Sequence, residues 1–337
     1  MTPVSASRRR FAVRAVLLAI APAVWPVRGQ SAPERSRVTV SVPLLSDLGC
    51  LPLVVAEQLG FFHAEGLEVT WVEGGGAADV VCGPFEQVLQ QQARGVYRPA
   101  FALLGRAPGV ALGVATRQLP QWRQMSDLRG RRIGIAVAGN TAHVMAQLVL
   151  LRAGVAPADW QLVPVGGAAS ALQAVRAGQV DALCGGEPAM TLLEQRAELR
   201  IVSDARSLKG AQAVFGGPMP ADCLHAPQEF IQRYPGVCQA LTSGVVRALR
   251  WLQTAGPSDL LRAVPEAYRM GDLGMYIAAF ERMRETYSTD ASVPAEGART
   301  AQRALASFEP LLHAERINLA RSYTNVFAAR VAPAGRA

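Results

Sequence analysis

Short apolar runs alternate with helix-like stretches through the first two thirds of the chain, most clearly over residues 131–188. The run Arg131-Arg132-Ile133-Gly134-Ile135-Ala136-Val137 has the length and character of a buried strand in a parallel sheet. Gly139-Asn140-Thr141-Ala142-His143 follows as a turn ending in helix N-cap residues, and Val144 to Arg152 reads as a helix closed by Gly154. Trp160 to Val165 is a second strand, and Gly166-Gly167-Ala168-Ala169-Ser170 opens a helix. Val180 to Cys184 is a third strand, and Gly185-Gly186-Glu187-Pro188 turns into a third helix. Three successive strand–turn–helix units predict a βαβαβα sheet.

The preceding half repeats this pattern. Strands are predicted at Val38–Val42, Leu67–Val72, Ala78–Cys82, Pro99–Leu104 and Val110–Ala115, with helices at Leu53–Leu59 and Phe85–Arg94. Asp79-Val80-Val81-Cys82-Gly83-Pro84 echoes Asp181-Ala182-Leu183-Cys184-Gly185-Gly186, as if two similar α/β lobes were built from one unit. The polar stretch Gln118–Arg129 reads as a connector between lobes, and Gly216-Gly217-Pro218 as a second crossover. Further short strands are expected at Arg200–Val202 and Ala211–Phe215. From Pro227 onward the apolar spacing is helical: Pro227–Tyr234, Val237–Thr254, Asp259–Val264, Leu273–Tyr287 and Ala295–Leu312. Ligands of open α/β sheets sit at the carboxyl ends of the strands, where first-turn amides attract polar groups. The same Gly and Ser residues would equally serve as plain helix caps.

Composition narrows the function. The formal charge of +8 falls to +3 when the five arginines of residues 1–29 are set aside, and no basic face interleaved with aromatics suggests nucleic acid. Ser7-Arg8-Arg9-Arg10-Phe11 precedes a short apolar run, Ala12–Val24, too short to span a membrane comfortably. This is the pattern of an export signal, of twin-arginine type or an arginine-rich Sec signal, with cleavage after Ala23 or Gly29. A periplasmic product is expected. Cys50, Cys82, Cys184, Cys223 and Cys238 show no metal spacing, and a Cys223–Cys238 disulfide is one possibility in an oxidising compartment. His63, His143, His225 and His313 are scattered, so neither a metal site, a cofactor nor a catalytic constellation is expected.

Three strings carry a family resemblance. Leu53-Val54-Val55-Ala56-Glu57-Gln58-Leu59-Gly60-Phe61-Phe62-His63-Ala64-Glu65-Gly66-Leu67-Glu68-Val69 is similar to the "A-x-E-x-G-F-F-x-x-E-G-L-x-V" segment of the solute-binding proteins of nitrate/sulfonate/taurine-type ABC transporters, a superfamily that includes binders of thiamine-pyrimidine precursors. Asp127-Leu128-Arg129-Gly130-Arg131-Arg132-Ile133-Gly134 and Ala174-Val175-Arg176-Ala177-Gly178-Gln179-Val180-Asp181-Ala182 match two further motifs. The resemblance implies a two-lobed periplasmic-binding-protein type II fold, each lobe a mostly parallel sheet flanked by helices, with a helical C-terminal region. Lobe 1 would hold residues 37–117 and 218–325, and lobe 2 residues 118–217. Hinges are expected near Arg117–Arg123 and Ala213–Pro218.

The same resemblance implies a ligand held between strand-end turns. From lobe 1 these carry Ser46, Asp47, Leu48 and Gly49, then Gly83, Pro84 and Phe85, with Arg106 as a candidate for an anionic ligand. From lobe 2 they carry Asn140, Thr141 and His143, then Gly166 and Gly167, then Gly185 and Glu187. Family members with oxyanion ligands have a Ser/Thr-rich lobe-2 turn. Here that turn is Gly139-Asn140-Thr141-Ala142-His143, and Asp47 and Glu187 would repel an anion or receive a cationic or heteroaromatic ligand. The implied function is capture of a small molecule and delivery to a membrane permease and its ATPase, by a monomer that touches the membrane only through the permease. The alternatives are a periplasmic sensor subunit, or a pyrimidine-precursor synthase, whose Cys-rich run this chain lacks.

Overall fold

The computed structural model describes residues 32–269, 272–308 and 317–331. The expected export segment, His313 and the end of the helix expected at 295–312 lie outside them. The chain runs β1 (Arg37–Val42), α1 (Leu51–Gln58), α2 (Phe61–Ala64), β2 (Glu68–Glu73), β3 (Val80–Pro84), α3 (Phe85–Ala93), β4 (Ala100–Leu103) and β5 (Val110–Ala115). It continues through β6 (Arg132–Ile135), α4 (Thr141–Arg152), β7 (Gln161–Pro164), α5 (Ala168–Arg176), β8 (Ala182–Gly186), α6 (Ala189–Gln195), β9 (Leu199–Asp204) and α7 (Leu208–Phe215). β10 (Asp222–His225) precedes α8 (Gln228–Arg233), α9 (Pro235–Thr254), α10 (Pro257–Ala263), α11 (Leu273–Met283), α12 (Ala295–Ala306) and α13 (Val326–Arg330).

The strands form two mixed five-stranded sheets, ordered β2-β1-β3-β10-β4 and β7-β6-β8-β5-β9. The two have one plan. β1 lies parallel between β2 and β3, as β6 lies between β7 and β8. The fourth place in each is taken by an antiparallel strand, β10 or β5. The echo in the sequence is therefore structural, since β3 and β8 occupy the same place. Even their leading aspartates act alike. Asp79 accepts from the Thr39 amide of β1 at 2.9 Å, and Asp181 from the Arg132 amide of β6 at 2.9 Å. Each acid also pairs with an arginine, Arg35 or Arg132.

Three expectations need correction. β5 belongs to the second sheet, so the chain passes between sheets at 104–109, before β5. The stretch expected to be a connector folds back on the second half instead: the Thr116 amide donates to the Glu198 carbonyl, Arg200 stacks over Trp122, and Leu119 and Leu128 are buried. Ala211–Phe215 is helical, not a strand. Ser207 caps α7 by accepting from the Gly210 amide, and Gly216 ends it at φ +74°. The strand that crosses back is β10. Finally, all five cysteines are buried and free, Cys223 on β10 and Cys238 on α9.

The core follows the apolar pattern. α9 buries Val237, Leu241, Val245 and Leu249 beside α1 and α2. Gly244 is needed there, because a Cβ at that position would stand 2.5 Å from the Phe62 ring. α12 lies against α3 of the first half and against α4 and α7 of the second. One apolar cluster joins Phe85, Val88 and Leu89 to Ile133, Ile135 and Met145, so the halves share a core beside the cleft. Among the described residues no helix is long and apolar enough to cross a membrane.

Candidate functional site

The strand-end turns of both sheets open onto one cleft of about 950 Å³, the upper end of the range usual for small-molecule sites. Of the residues anticipated from the sequence, Asp47, Gly49, Gly83, Pro84, Asn140, Thr141, His143, Gly166, Gly167, Gly185 and Glu187 line it. Ser46, Leu48, Phe85 and Arg106 are not among the lining residues. Leu48 is fully buried, and its carbonyl accepts from the Tyr287 hydroxyl at 2.8 Å. Phe85 packs edge-on against Tyr323 in the core. Arg106 donates to the Glu285 carbonyl at 3.0 Å, tying the crossover to the C-terminal helices.

The two halves touch across the cleft. The Leu48 amide lies 3.4 Å from the Glu187 carbonyl, and a Cβ on Gly167 would meet the Leu44 side chain at 2.8 Å. The α4 turn is closed on itself. Asn140 accepts from the His143 amide at 3.0 Å, and His143 Nδ1 accepts from the Gly139 amide at 2.9 Å, with Gly139 at φ +85°. The amide of His143 and the cap side chain are thus engaged internally. α5 begins at Gly167 with no capping side chain, which leaves its first-turn amides without a side-chain acceptor.

Sequence reading missed one wall. Gln87, Gln90, Gln91 and Arg94 of α3 and its C-terminal end line the cleft. Their i, i+3, i+4, i+7 spacing marks one helix face and was visible in Phe85–Arg94. Asp222 was also missed, because it opens β10, which the apolar pattern did not show. Its carboxylate lies against Gly49, where a Cβ would approach Oδ2 to 2.5 Å.

Glu187 is not a free ligand group. Its carboxylate accepts from the Thr191 amide (2.9 Å) and hydroxyl (2.7 Å), and it pairs with Arg206 at 3.0 Å with both side chains essentially buried. The same guanidinium reaches Asp204 at 2.7 Å and Glu194 at 3.0 Å, and Arg282 of α11 joins Glu194 at 2.6 Å. The β8 turn is thereby fastened to α6, β9 and the C-terminal helices.

Three other carboxyls have no such partner. Burial lifts Asp47 to about 7, helped by the charges of Asp222 and Glu73, and burial lifts Asp222 to about 6. Glu86 is fully buried and is pushed up to about 8, chiefly by burial and further by the Asp222 charge. The Thr141 hydroxyl and Glu86's own amide lie near enough to favour its charged form. Neither makes a well-directed hydrogen bond to its oxygens. Among the described residues, no group of three His, Cys, Asp or Glu side chains is placed to hold a metal ion.

With this geometry in place, the comparisons are consistent. The NMT1/THI5-like family model matches residues 49–254, and the chain belongs to that family. A solved protein of Bordetella bronchiseptica RB50 is 39% identical, with a TM-score of 0.86 over 89% of this chain and 98% of that one. The alkanesulfonate-binding protein SsuA from Xanthomonas axonopodis pv. citri, bound to MOPS, shares the fold at 17% identity and a TM-score of 0.69, over 87% of this chain and 99% of its own. The periplasmic nitrate-binding protein NrtA from Synechocystis PCC 6803 does so at 13% identity and a TM-score of 0.70, over 89% of each chain. The fold is that of the periplasmic binding proteins.

Two outcomes follow. Arg206→Met leaves Glu187 buried and uncompensated, and is expected to cost about 3–5 kcal/mol in urea denaturation. The double change Arg206→Met, Glu187→Leu should recover part of that loss. Conversely, a loss below about 1 kcal/mol for the single change would mean that Glu187 finds water or another partner. The second outcome concerns pH. Glu86, Asp47 and Asp222 hold protons in the folded chain at pH values where the unfolded chain has released them. Stability therefore falls as pH rises from the ordinary carboxyl range toward about 8. His225, pushed down to about 3 by burial and the Arg98 charge, opposes this below its ordinary value of 6.5, cancelling one proton of three. Acids held low by partners, such as Asp181 and Asp204, act only below the ordinary aspartate value of 3.8. The melting temperature of the ligand-free chain should rise on acidification from pH 8 to about pH 5.5, and Glu86→Gln should flatten the rise. An equally steep profile in Glu86→Gln would remove Glu86 from the account.

Proposed function

We propose that this chain is the solute-receiving component of an ABC importer. It captures one small molecule between its two halves in the periplasm and hands it to a membrane permease driven by an ATPase. The observation that carries this reading is the cleft of about 950 Å³ into which equivalent turns of two sheets of one plan converge. Such a site needs a hinge and no chemistry. The crossings at 104–109 and 216–221 are short enough to supply the hinge, since closure requires few residues to change dihedrals. The N-terminal segment, with its paired arginines and short apolar run, supplies the export signal, of twin-arginine or Sec type. Sulfonate and nitrate binding by the structural neighbours supports the small-molecule class. Asp47, Gly49, Gly83, Asn140, Thr141, Gly166, Gly167 and Gly185 are the contacts proposed to carry over from the sequence reading.

A thermal-shift screen of sulfonates, nitrate, taurine and pyrimidines, followed by small-angle scattering with any hit, tests this function. A bound molecule stabilises by mass action, by about 2.7 kcal/mol at a hundred times its Kd. The loaded chain should have a smaller radius of gyration than the free chain, because hinge closure of the two halves on a ligand compacts the molecule. An unchanged radius at saturation, or a hit recovered chemically altered, would contradict the reading.

A further inference from the structure

We propose that Cys50 and Cys82 form a disulfide in the exported protein, a covalent fastening of the first-half loop that lines the cleft. The inference goes beyond the transport reading and takes from it only the oxidising compartment, where such bonds persist.

The first observation is which cysteines can meet. Cys82 is the third residue of β3, and its register partner on β10 is Leu224. Cys82, Leu224, Val40 and Val80 belong to the apolar layer that packs against α1 and α9, and Cys50 belongs to it too. Cys223, one residue along β10, pairs with Gly83, packs in the other layer with Phe85 and Val88, and donates to the Gly83 carbonyl at 3.5 Å. Cys184 lies on β8 of the second sheet. Cys238 shares the layer of Cys82 but sits at the other end of the sheet. Its turn of α9 is held by Glu34, which precedes β1 and accepts from the Gly236 and Val237 amides. β1 and β3 run parallel with Val40 opposite Val80, which puts Cys82 level with the far end of β1. Cys50 stands at that end, at the start of α1. Its neighbour Gly49 lies against Asp222, the register partner of Pro84. Cys50 alone therefore shares both the layer and the level of Cys82.

The second observation is the contact itself. The Cys50 thiol donates a hydrogen bond to the Cys82 sulfur, and the two residues are 1% and 2% exposed. A bond of about 2.05 Å asks only for rotation of the two side chains and a small shift of the loop.

The consequence falls on the cleft. Pro43, Leu44, Asp47 and Gly49 of the loop line it, as do Cys82 and Gly83. Leu48 meets the second half through its amide. The disulfide closes a ring of roughly thirty residues and pins the start of α1, and with it this loop, to β3. In the oxidation two S–H bonds break, one S–S bond forms and two protons leave. The two electrons pass to a protein disulfide of the compartment, which becomes a dithiol. The hydrogen bond to Cys82 and burial hold the Cys50 thiol well above its ordinary value, so thiolate is scarce while the loop is closed. Exchange proceeds with the loop open, during folding or in a local opening of the folded chain.

The test needs no ligand. The full chain is expressed with its N-terminal segment, recovered from the periplasm without reductant, denatured in an alkylating agent and digested. The expected map holds one pair of peptides joined at Cys50 and Cys82 and separated by reductant, with Cys184, Cys223 and Cys238 alkylated. Reductant should lower the melting temperature of the wild-type chain by about 5–10 °C and leave Cys50→Ala and Cys82→Ala unmoved. If those variants fail to fold, the wild-type map still decides. An exported chain with Cys50 and Cys82 both alkylated, or with Cys82 joined to Cys223, would overturn the inference and leave the importer reading intact. A joined pair whose melting temperature ignores reductant would overturn its fastening role. If no chain reaches the periplasm, the export reading falls, and refolding the purified chain in oxidised and reduced glutathione decides the inference. The Cys50–Cys82 link then supports it, and free thiols or any other link overturn it.

Discussion

A guanidinium with 1% of its side chain exposed ties the β8 turn, α6 and β9 of the second half to one another. Arg206 sits at the end of β9 and gathers Glu187, Asp204 and Glu194 around one planar group. Because burial of Arg206 or of Glu187 alone would cost several kcal/mol, these two must be placed together, and the partly exposed Asp204 and Glu194 complete the cluster. That requirement fixes the β8 turn relative to α6 and β9, and through Arg282 it reaches α11. It also fixes the Glu187 carbonyl, which the Leu48 amide approaches from the first half. The acid of the cleft's β8 turn is thus neutralised from behind.

On the opposite side Asp47 and Asp222 line the cleft, and Arg94 lines it from the end of α3. The same fold holds sulfonate and nitrate in proteins of low identity to this one, so charge preference is not set by topology. It is set by a few side chains at strand ends, where substitutions leave the sheets untouched. Here those side chains include the acids Asp47 and Asp222, the amides of α3 and Arg94.

Much of the architecture was legible from the chain because parallel strands and amphipathic helices write distinct periods. The echo of Asp79–Pro84 in Asp181–Gly186 marked the repeat, and both segments proved to hold the same place in their sheets, with the same aspartate bond to a neighbouring strand. What was not legible was the sheet that β5, itself expected at Val110–Ala115, would join, and the existence of β10. β5 looks like any apolar run, and nothing local says which sheet it will join. β10 is only four residues long and begins with Asp222, so its period is too short to read. Asp222 was lost with it. The turns themselves were visible as glycines and caps. The engagement of Glu187 with Arg206 depends on a partner that only folding brings near.

The central claim is that a small molecule is held between the halves, at the turns where the two sheets face each other. The most direct measurement is a crystal structure of the chain with the compound that most raises its melting temperature. The account predicts that compound in the cleft, in contact with Asp47 or Asp222 on one side and with the 139–143 or 166–167 turn on the other. A compound bound outside the cleft, with only water between the halves, would contradict it.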